Sequence, residues 1–176
     1  VRQTAVAIGT FDGVHRGHQR ILAETKRLAT ANGLESVAYT FDGPPRSFGG
    51  DNEALLLLPP KTKQELLLAW VDRVESASFP TVRDLDPAAF VDHVLVRELA
   101  SRRVVVGASF RFGRDRRGDP NCLLGLAANR GMSVHVLPEL EIHGAPVSST
   151  RIRDRLRSGD VETAAELLGR PPMILG

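Results

Sequence analysis

At 176 residues the chain has the length of one domain, or of one domain with a small appendage. Its 42% hydrophobic and 25% charged residues are ordinary for a globular protein and sufficient for a core without disulfides or metals. The single cysteine, Cys122, excludes a disulfide framework and points to a reducing, cytoplasmic setting, while a net charge of +2 gives no general basic footprint for nucleic acid.

In chain order, Thr4 to Thr10 is a short apolar run closed by glycine, which suits a buried strand. His18 to Ala29 places Ile21, Leu22 and Leu28 at helical spacing, and Asn32-Gly33 ends that helix. Ser36 to Phe41 is a second strand. The stretch from Asp42 to Asn52 is rich in glycine and proline and reads as a long loop. Leu55 to Leu58 runs straight into Pro59-Pro60, too short for a membrane span, and no signal peptide is visible, so no membrane partner is expected. Lys61 to Val71 is expected as a helix and Arg73 to Ser78 as a third strand. Asp86-Pro87 opens a further helix with Phe90, Val91, Val94 and Leu95 on its apolar face. Arg103 to Val106 is a buried strand and Ala108 to Pro120 a loop. Asn121 to Arg130 is a helix, Ser133 to Leu137 a strand, and Ser149 to Arg157 and Val161 to Leu168 are helices. Tyr39 and Trp70 read as core residues. The chain opens on Val1 already leading into a strand, and so reads as a segment of a longer polypeptide.

Strands alternating with helices predict a doubly wound α/β domain with about five parallel strands, whose ligands bind outside the carboxyl ends of those strands. Three segments rich in chemistry follow strands and should converge there: Gly9 to His18, Gly107 to Gly118, and Ser148 to Arg153. In the first, Gly9 and Gly13 permit sharp turns and Gly17 permits close approach of a phosphate. The helix that follows offers unpaired N–H groups. His15 and His18, on one face of its first turn, would donate to charge developing on that phosphate. The bland readings are a zinc pair, for which no further ligands show suitable spacing, or two surface histidines. In Ser148-Ser149-Thr150-Arg151-Ile152-Arg153, hydroxyls before a helix are most simply an N-cap; with the arginines they form a second phosphate cradle. The crowding of Arg111, Arg114, Arg116 and Arg117 is read as a solvated or phosphate-binding loop.

Together these segments resemble the HxGH nucleotidyltransferases. The fuller pattern is GTFDGVHRGH, then GASFRFG at Gly107 to Gly113, VSSTRIR at Val147 to Arg153, and LLGRP at Leu167 to Pro171. It resembles the FAD synthetase domain of bacterial bifunctional riboflavin kinase/FAD synthetases over nearly the whole chain. The resemblance implies a Rossmann-like doubly wound sheet that transfers AMP from ATP, with Mg²⁺, to FMN, giving FAD and pyrophosphate. It implies catalytic roles for His15, His18 and Arg153, and nucleotide contacts from Gly9, Thr10, Phe11, Gly17, Ser148, Ser149 and Thr150. It implies flavin contacts from Ser109, Phe110 and Phe112. Metal ligands are left open; Asp12 and Asp119 are candidates for which turn-capping is the plainer role. Residues 1–170 would be the transferase domain and 171–176 the start of a linker toward a riboflavin kinase module that lies outside this sequence. Two positions depart from the family pattern: Pro44 where a histidine is usual, and Ser109 where Asn or Asp is usual. The rival readings are a cytidylyltransferase and a non-catalytic flavin- or nucleotide-binding module.

Overall fold

The computed structural model describes residues 2–41 and 56–173, so the loop expected at Asp42–Asn52 and the departure at Pro44 lie outside the described residues. Five strands form one parallel sheet in the order β3-β2-β1-β4-β5. They are β1 (Thr4–Ile8), β2 (Glu35–Phe41), β3 (Arg73–Ala77), β4 (Ser101–Gly107) and β5 (Ser133–Leu137). The expected doubly wound α/β architecture is thus the observed one.

Alternation along the strands decides which helices cover which face. Val6, Ile8, Val37, Tyr39, Val104 and Val106 share one buried cluster with α4 (Pro87–Phe90), its continuation, and α5 (Pro120–Ala128). Ala7 and Ala38 point the other way, where their small side chains pack with Leu22 of α1 (Arg16–Asn32) and Leu67 of α2 (Pro60–Leu68). A third cluster joins α6 (Ser149–Arg157) to α7 (Val161–Leu168) through Ile152, Ala164, Leu167 and Leu168. Tyr39 is buried as expected, and Trp70 packs against the α1/α2 cluster.

The differences from the sequence reading have local causes. Helix α1 starts at Arg16 because His15 caps it, its side chain accepting from the His18 N–H. The helix opened by Asp86-Pro87 is capped by the Asp86 carboxylate, which accepts from Ala89 N at 2.8 Å. After Phe90 it widens into a π-helix over Val91–Glu98, where Leu99 N donates to Val94 O at 2.9 Å. That wide turn keeps Val94 and Leu99 in the same core. The short helix α3 (Phe79–Val82), a tight turn at Arg114–Arg116, and the hairpin of β6 (Glu141–Ile142) and β7 (Ala145–Pro146) carry too few residues to show a period, and sequence patterning did not reveal them.

Helix α1 ends at Gly33, whose φ is 65° and whose N–H meets the carbonyls of Ala29 and Thr30. A methyl group there would touch nothing within 4 Å, so only the left-handed backbone opposes it. Gly33→Ala is expected to cost about 1 kcal/mol in urea unfolding while leaving ligand binding unchanged.

Candidate functional site

The carboxyl ends of β1, β2, β4 and β5 open onto one cavity of about 480 Å³, lined there by Ile8, Phe41, Gly107 and Leu137. It spans the β1/β4 junction, where the winding of the chain reverses and doubly wound sheets leave a crevice. All three segments singled out in the sequence reach it. Gly9, Thr10, Phe11, His15, Gly17 and His18 line one part; Ser109, Phe110 and Phe112 another; Ser148, Ser149 and Thr150 a third. Arg153 is the expected site residue that does not line the cavity.

The loop between β1 and α1 is held in an unusual path. Phe11, Gly13 and Val14 have φ of 49°, 84° and 41°, the left-handed region that a β-branched residue such as Val14 rarely adopts. Phe11 turns inward and is fully buried, its ring edge-on to His18 with centroids 5.2 Å apart. This turn brings His15 to the N-cap of α1, where its Nδ1 accepts from His18 N at 3.3 Å. An Nδ1 that accepts leaves the proton of a neutral imidazole on Nε2, so the tautomer of His15 is set by the helix it caps. The rings of His15 and His18 stack with centroids 3.5 Å apart and 15° between planes. Gly17 makes room for this: a Cβ there would lie 3.2 Å from the His15 ring.

Both imidazoles are held neutral. Burial, with a smaller contribution from the nearby Arg170 charge, lowers His15 from the ordinary 6.5 to about 4, against the opposing effect of its backbone hydrogen bond. His18 lies well below its ordinary value because of burial first, then His15, then Lys63. His18 Nδ1 is buried without a hydrogen-bond partner, a polar atom left over beside the cavity.

The α6 segment is tied to this loop through Asp12. Ser149 Oγ donates to Asp12 O at 2.8 Å, Leu57 N donates to Asp12 Oδ1 at 2.9 Å, and Arg153 pairs with Asp12 Oδ2. Each carboxylate oxygen of Asp12 thus accepts from a protein donor, so the residue ties the loop together in this structure. Asp119 caps α5, accepting from Cys122 N at 2.8 Å, the plainer of its two expected roles. Among the described residues no cluster of three or more His, Cys, Asp or Glu side chains could hold a metal. Ser148 caps α6, its Oγ accepting from Arg151 N at 3.2 Å, so the simple capping role and a place in the cavity wall coincide.

On the facing wall Phe110 stacks on Phe112 with centroids 5.4 Å apart, and Phe112 packs in turn on Phe90. Phe112 belongs mainly to the core, at 6% exposure, whereas Ser109 is exposed and Phe110 half-buried. Gly118 is required at the Phe112–Gly118 bridge, since a Cβ would fall 2.5 Å from the Phe112 ring. The arginine cluster divides: Arg111 and Arg116 line the cavity, Arg114 donates to Asp84 O, and Arg117 pairs with Asp115 at 3.7 Å.

Sequence reasoning missed Lys63, whose Nζ donates to Phe41 O at 2.6 Å, Thr40 Oγ1 at 3.1 Å and Thr10 O at 3.3 Å. Nothing in the sequence separates it from Lys61. Gln19 and Arg170, which reach the same loop, were missed as well; the LLGRP pattern was the available signal for Arg170.

A sequence model of the family described as FAD synthetase matches residues 1–151. The chain is 38% identical to the bifunctional riboflavin kinase/FMN adenylyltransferase of Pseudomonas fluorescens, over 99% of this chain and 57% of the relative. It is 31% identical to a FAD synthetase of Listeria monocytogenes, over 99% of this chain and 72% of the relative. A crystal structure titled as a macrolide-efflux protein from Streptococcus pneumoniae superposes with a TM-score of 0.86 at 25% identity, covering 98% of this chain and 57% of that one. The chain thus spans little more than half the length of several relatives it matches. No helix among the described residues is long and apolar enough to cross a membrane.

Two outcomes follow from this geometry. A histidine neutral in the fold but protonated when unfolded stabilises fully above the unfolded pKa, and that stability is lost as pH falls toward the folded value. For His15 the window runs from 6.5 down to about 4. Wild type should lose about 3 kcal/mol more than His15→Asn across it, measured as unfolding free energy against pH. Arg153→Ala leaves the buried Asp12 carboxylate without its partner and should cost about 3 kcal/mol in denaturant unfolding, an effect that Asp12→Asn in the same chain should relieve.

Proposed function

The chain belongs to the FAD synthetase family, and from that premise we propose that this domain transfers the AMP group of ATP to the phosphate of FMN, giving FAD and pyrophosphate. The observation that carries the proposal is the pair of neutral, stacked imidazoles in a cavity that the N-termini of α1 and α6 share with the Phe110 wall.

An FMN phosphate oxygen attacks the α-phosphorus of ATP in line. The bond from that phosphorus to the oxygen bridging the β-phosphate breaks, and its electrons leave with pyrophosphate. A phosphate is already an anion at neutral pH, so no general base and no covalent enzyme intermediate are needed, and catalysis rests on positioning and charge stabilisation. His15, with its proton on Nε2, and His18 donate to the α-phosphate and the leaving oxygen. Gly9, Thr10, Phe11 and Gly17 shape the main chain against the phosphates, while Ser148, Ser149 and Thr150 at the α6 N-terminus receive the β- and γ-phosphates. Arg153 acts one step back by holding Asp12, and so keeps the two segments in register. Ser109 and Phe110 meet the flavin, with Phe112 backing Phe110. Mg²⁺, in this proposal, would supply neutralisation of phosphate charge, and Glu139, the one carboxylate among the described lining residues, would be the side chain able to help hold it. Residues 1–170 constitute the transferase unit in this proposal. The riboflavin kinase half named in the bifunctional relatives would follow residue 170 in the parent chain, and the compartment proposed is the cytoplasm.

The direct test is incubation with FMN, Mg²⁺ and either ATP or CTP. FAD and pyrophosphate from ATP alone are expected; CTP turnover, or tight FMN binding without turnover, would replace the proposal with one of its rivals. Within it, His18→Ala should lower single-turnover FAD formation by roughly a few hundred-fold, as loss of a preorganised donor does. ATP affinity, set by the helix termini and loop amides, should change little. Loss of ATP affinity in proportion to rate would make His18 a ground-state ligand instead.

A further inference from the structure

We infer that Arg170 is a positioning residue for the β1–α1 phosphate loop, acting on the reacting centre through Gly13, Val14 and His15. Its guanidinium Nη2 donates to Gly13 O at 2.7 Å and its Nη1 to Val14 O at 3.3 Å. Gln19 Nε2 completes the clasp, donating at 2.9 Å to Val14 O and at 2.9 Å to Leu168 O. The end of α7 is thereby stitched to a turn that lies at the opposite end of the sequence.

The turn needs such a clasp. Gly13 and Val14 are both left-handed, and a β-branched residue stays in that region only where its surroundings impose it. Leu57 and Leu168 crowd Gly13, where a Cβ would lie 2.8 and 3.5 Å from their methyl groups, so the turn is also packed from that side. Gly169, itself left-handed at φ 72°, lets the chain pass close to Arg16 and Gln19 of α1 and so delivers Arg170 to the two carbonyls. A simple surface arginine would not take this form. The side chain is half-buried, its Nε is buried without a partner, and among the described residues no carboxylate pairs with it. A fork of two N–H donors matching two adjacent carbonyls is a geometry that arginine supplies and lysine does not.

The consequence reaches the imidazoles. Val14 O belongs to the peptide that leads into His15, so fixing it fixes the plane from which the His15 side chain departs. That plane decides whether Nδ1 meets the His18 N–H and whether the two rings stack. Arg170 does not line the cavity, and it lies beyond residue 151, where the family match ends. Its charge also bears on His15, in the direction that keeps the ring neutral.

The kinetic part of this inference rests on the proposed transferase reaction; the structural part does not. Arg170→Met keeps the length of the side chain and removes both donors, and Arg170→Lys keeps the charge and one donor site. Amide hydrogen exchange is read at Val14 and His18, whose N–H groups bond to Phe11 O and His15 Nδ1, beside ATP affinity and single-turnover FAD formation. The Met variant should exchange faster at both amides and lose rate by roughly a hundredfold, as misplacement of catalytic groups by about 1 Å does, with ATP affinity changed far less. The Lys variant should fall between it and wild type in both readouts. If the Met variant does not fold, the Lys variant decides alone: wild-type exchange and rate overturn the inference. It is equally overturned if rate falls while exchange at Val14 and His18 stays unchanged, or if ATP affinity falls in proportion to rate. A wild-type domain that makes no FAD would end the proposed reaction, and the exchange data would still decide the clasp.

Discussion

The main-chain N–H of His18 donates to Nδ1 of His15, and much of the site's chemistry follows from that bond. Because Nδ1 accepts, the neutral ring carries its proton on Nε2 and presents a donor. Because the bond closes the first turn of α1, the donor stands where the helix offers unpaired N–H groups. The stacking of His18 on His15 is compatible with neutral rings and would be opposed if both became charged. Burial enforces that neutrality. In the proposed reaction the site would meet anionic phosphate with hydrogen-bond donors that cost no proton exchange at neutral pH.

Besides Arg111 and Arg116 in the cavity wall, positive charge is also placed one layer further back. Lys63 gathers the carbonyls of Thr10 and Phe41 and the hydroxyl of Thr40, and Arg170 gathers those of Gly13 and Val14. Both cations thus hold the main chain of the loop between β1 and α1 rather than project into the cavity, and both act electrostatically on the histidines. A cation fixed by carbonyls contributes field to the site without itself entering the cavity.

The fold was legible because each strand and long helix carries its own period and its own punctuation. Thr4 to Ile8 is continuously apolar, α1 ends at a glycine that is left-handed, and the strands alternate with helices throughout. The convergence of three segments was legible because parallel sheets gather their carboxyl ends at one edge. What stayed hidden were contacts between residues far apart in sequence that share no pattern. Arg153 has the look of a phosphate ligand in VSSTRIR, and only the fold reveals that Asp12 lies within its reach. The burial of Lys63 depends on where α2 docks over the ends of β1 and β2, which its neighbours in sequence do not announce.

Asp12 shows why these hidden contacts matter for function. Its carbonyl accepts from Ser149, one carboxylate oxygen from the Leu57 amide, and the other pairs with Arg153. One buried residue thereby joins the β1–α1 loop, the start of α6 and the segment entering α2. The carboxylate holds these three together through both of its oxygens. Two helix termini at the cavity tied through a single buried carboxylate cannot shift independently without breaking a charged pair in a dry environment, a change costing several kcal/mol. The distance between the imidazole pair and the α6 hydroxyls is thus set before any nucleotide arrives. Such preorganisation is what lets neutral donors stabilise a transition state: the dipoles need not be reoriented when the charge moves onto the leaving oxygen.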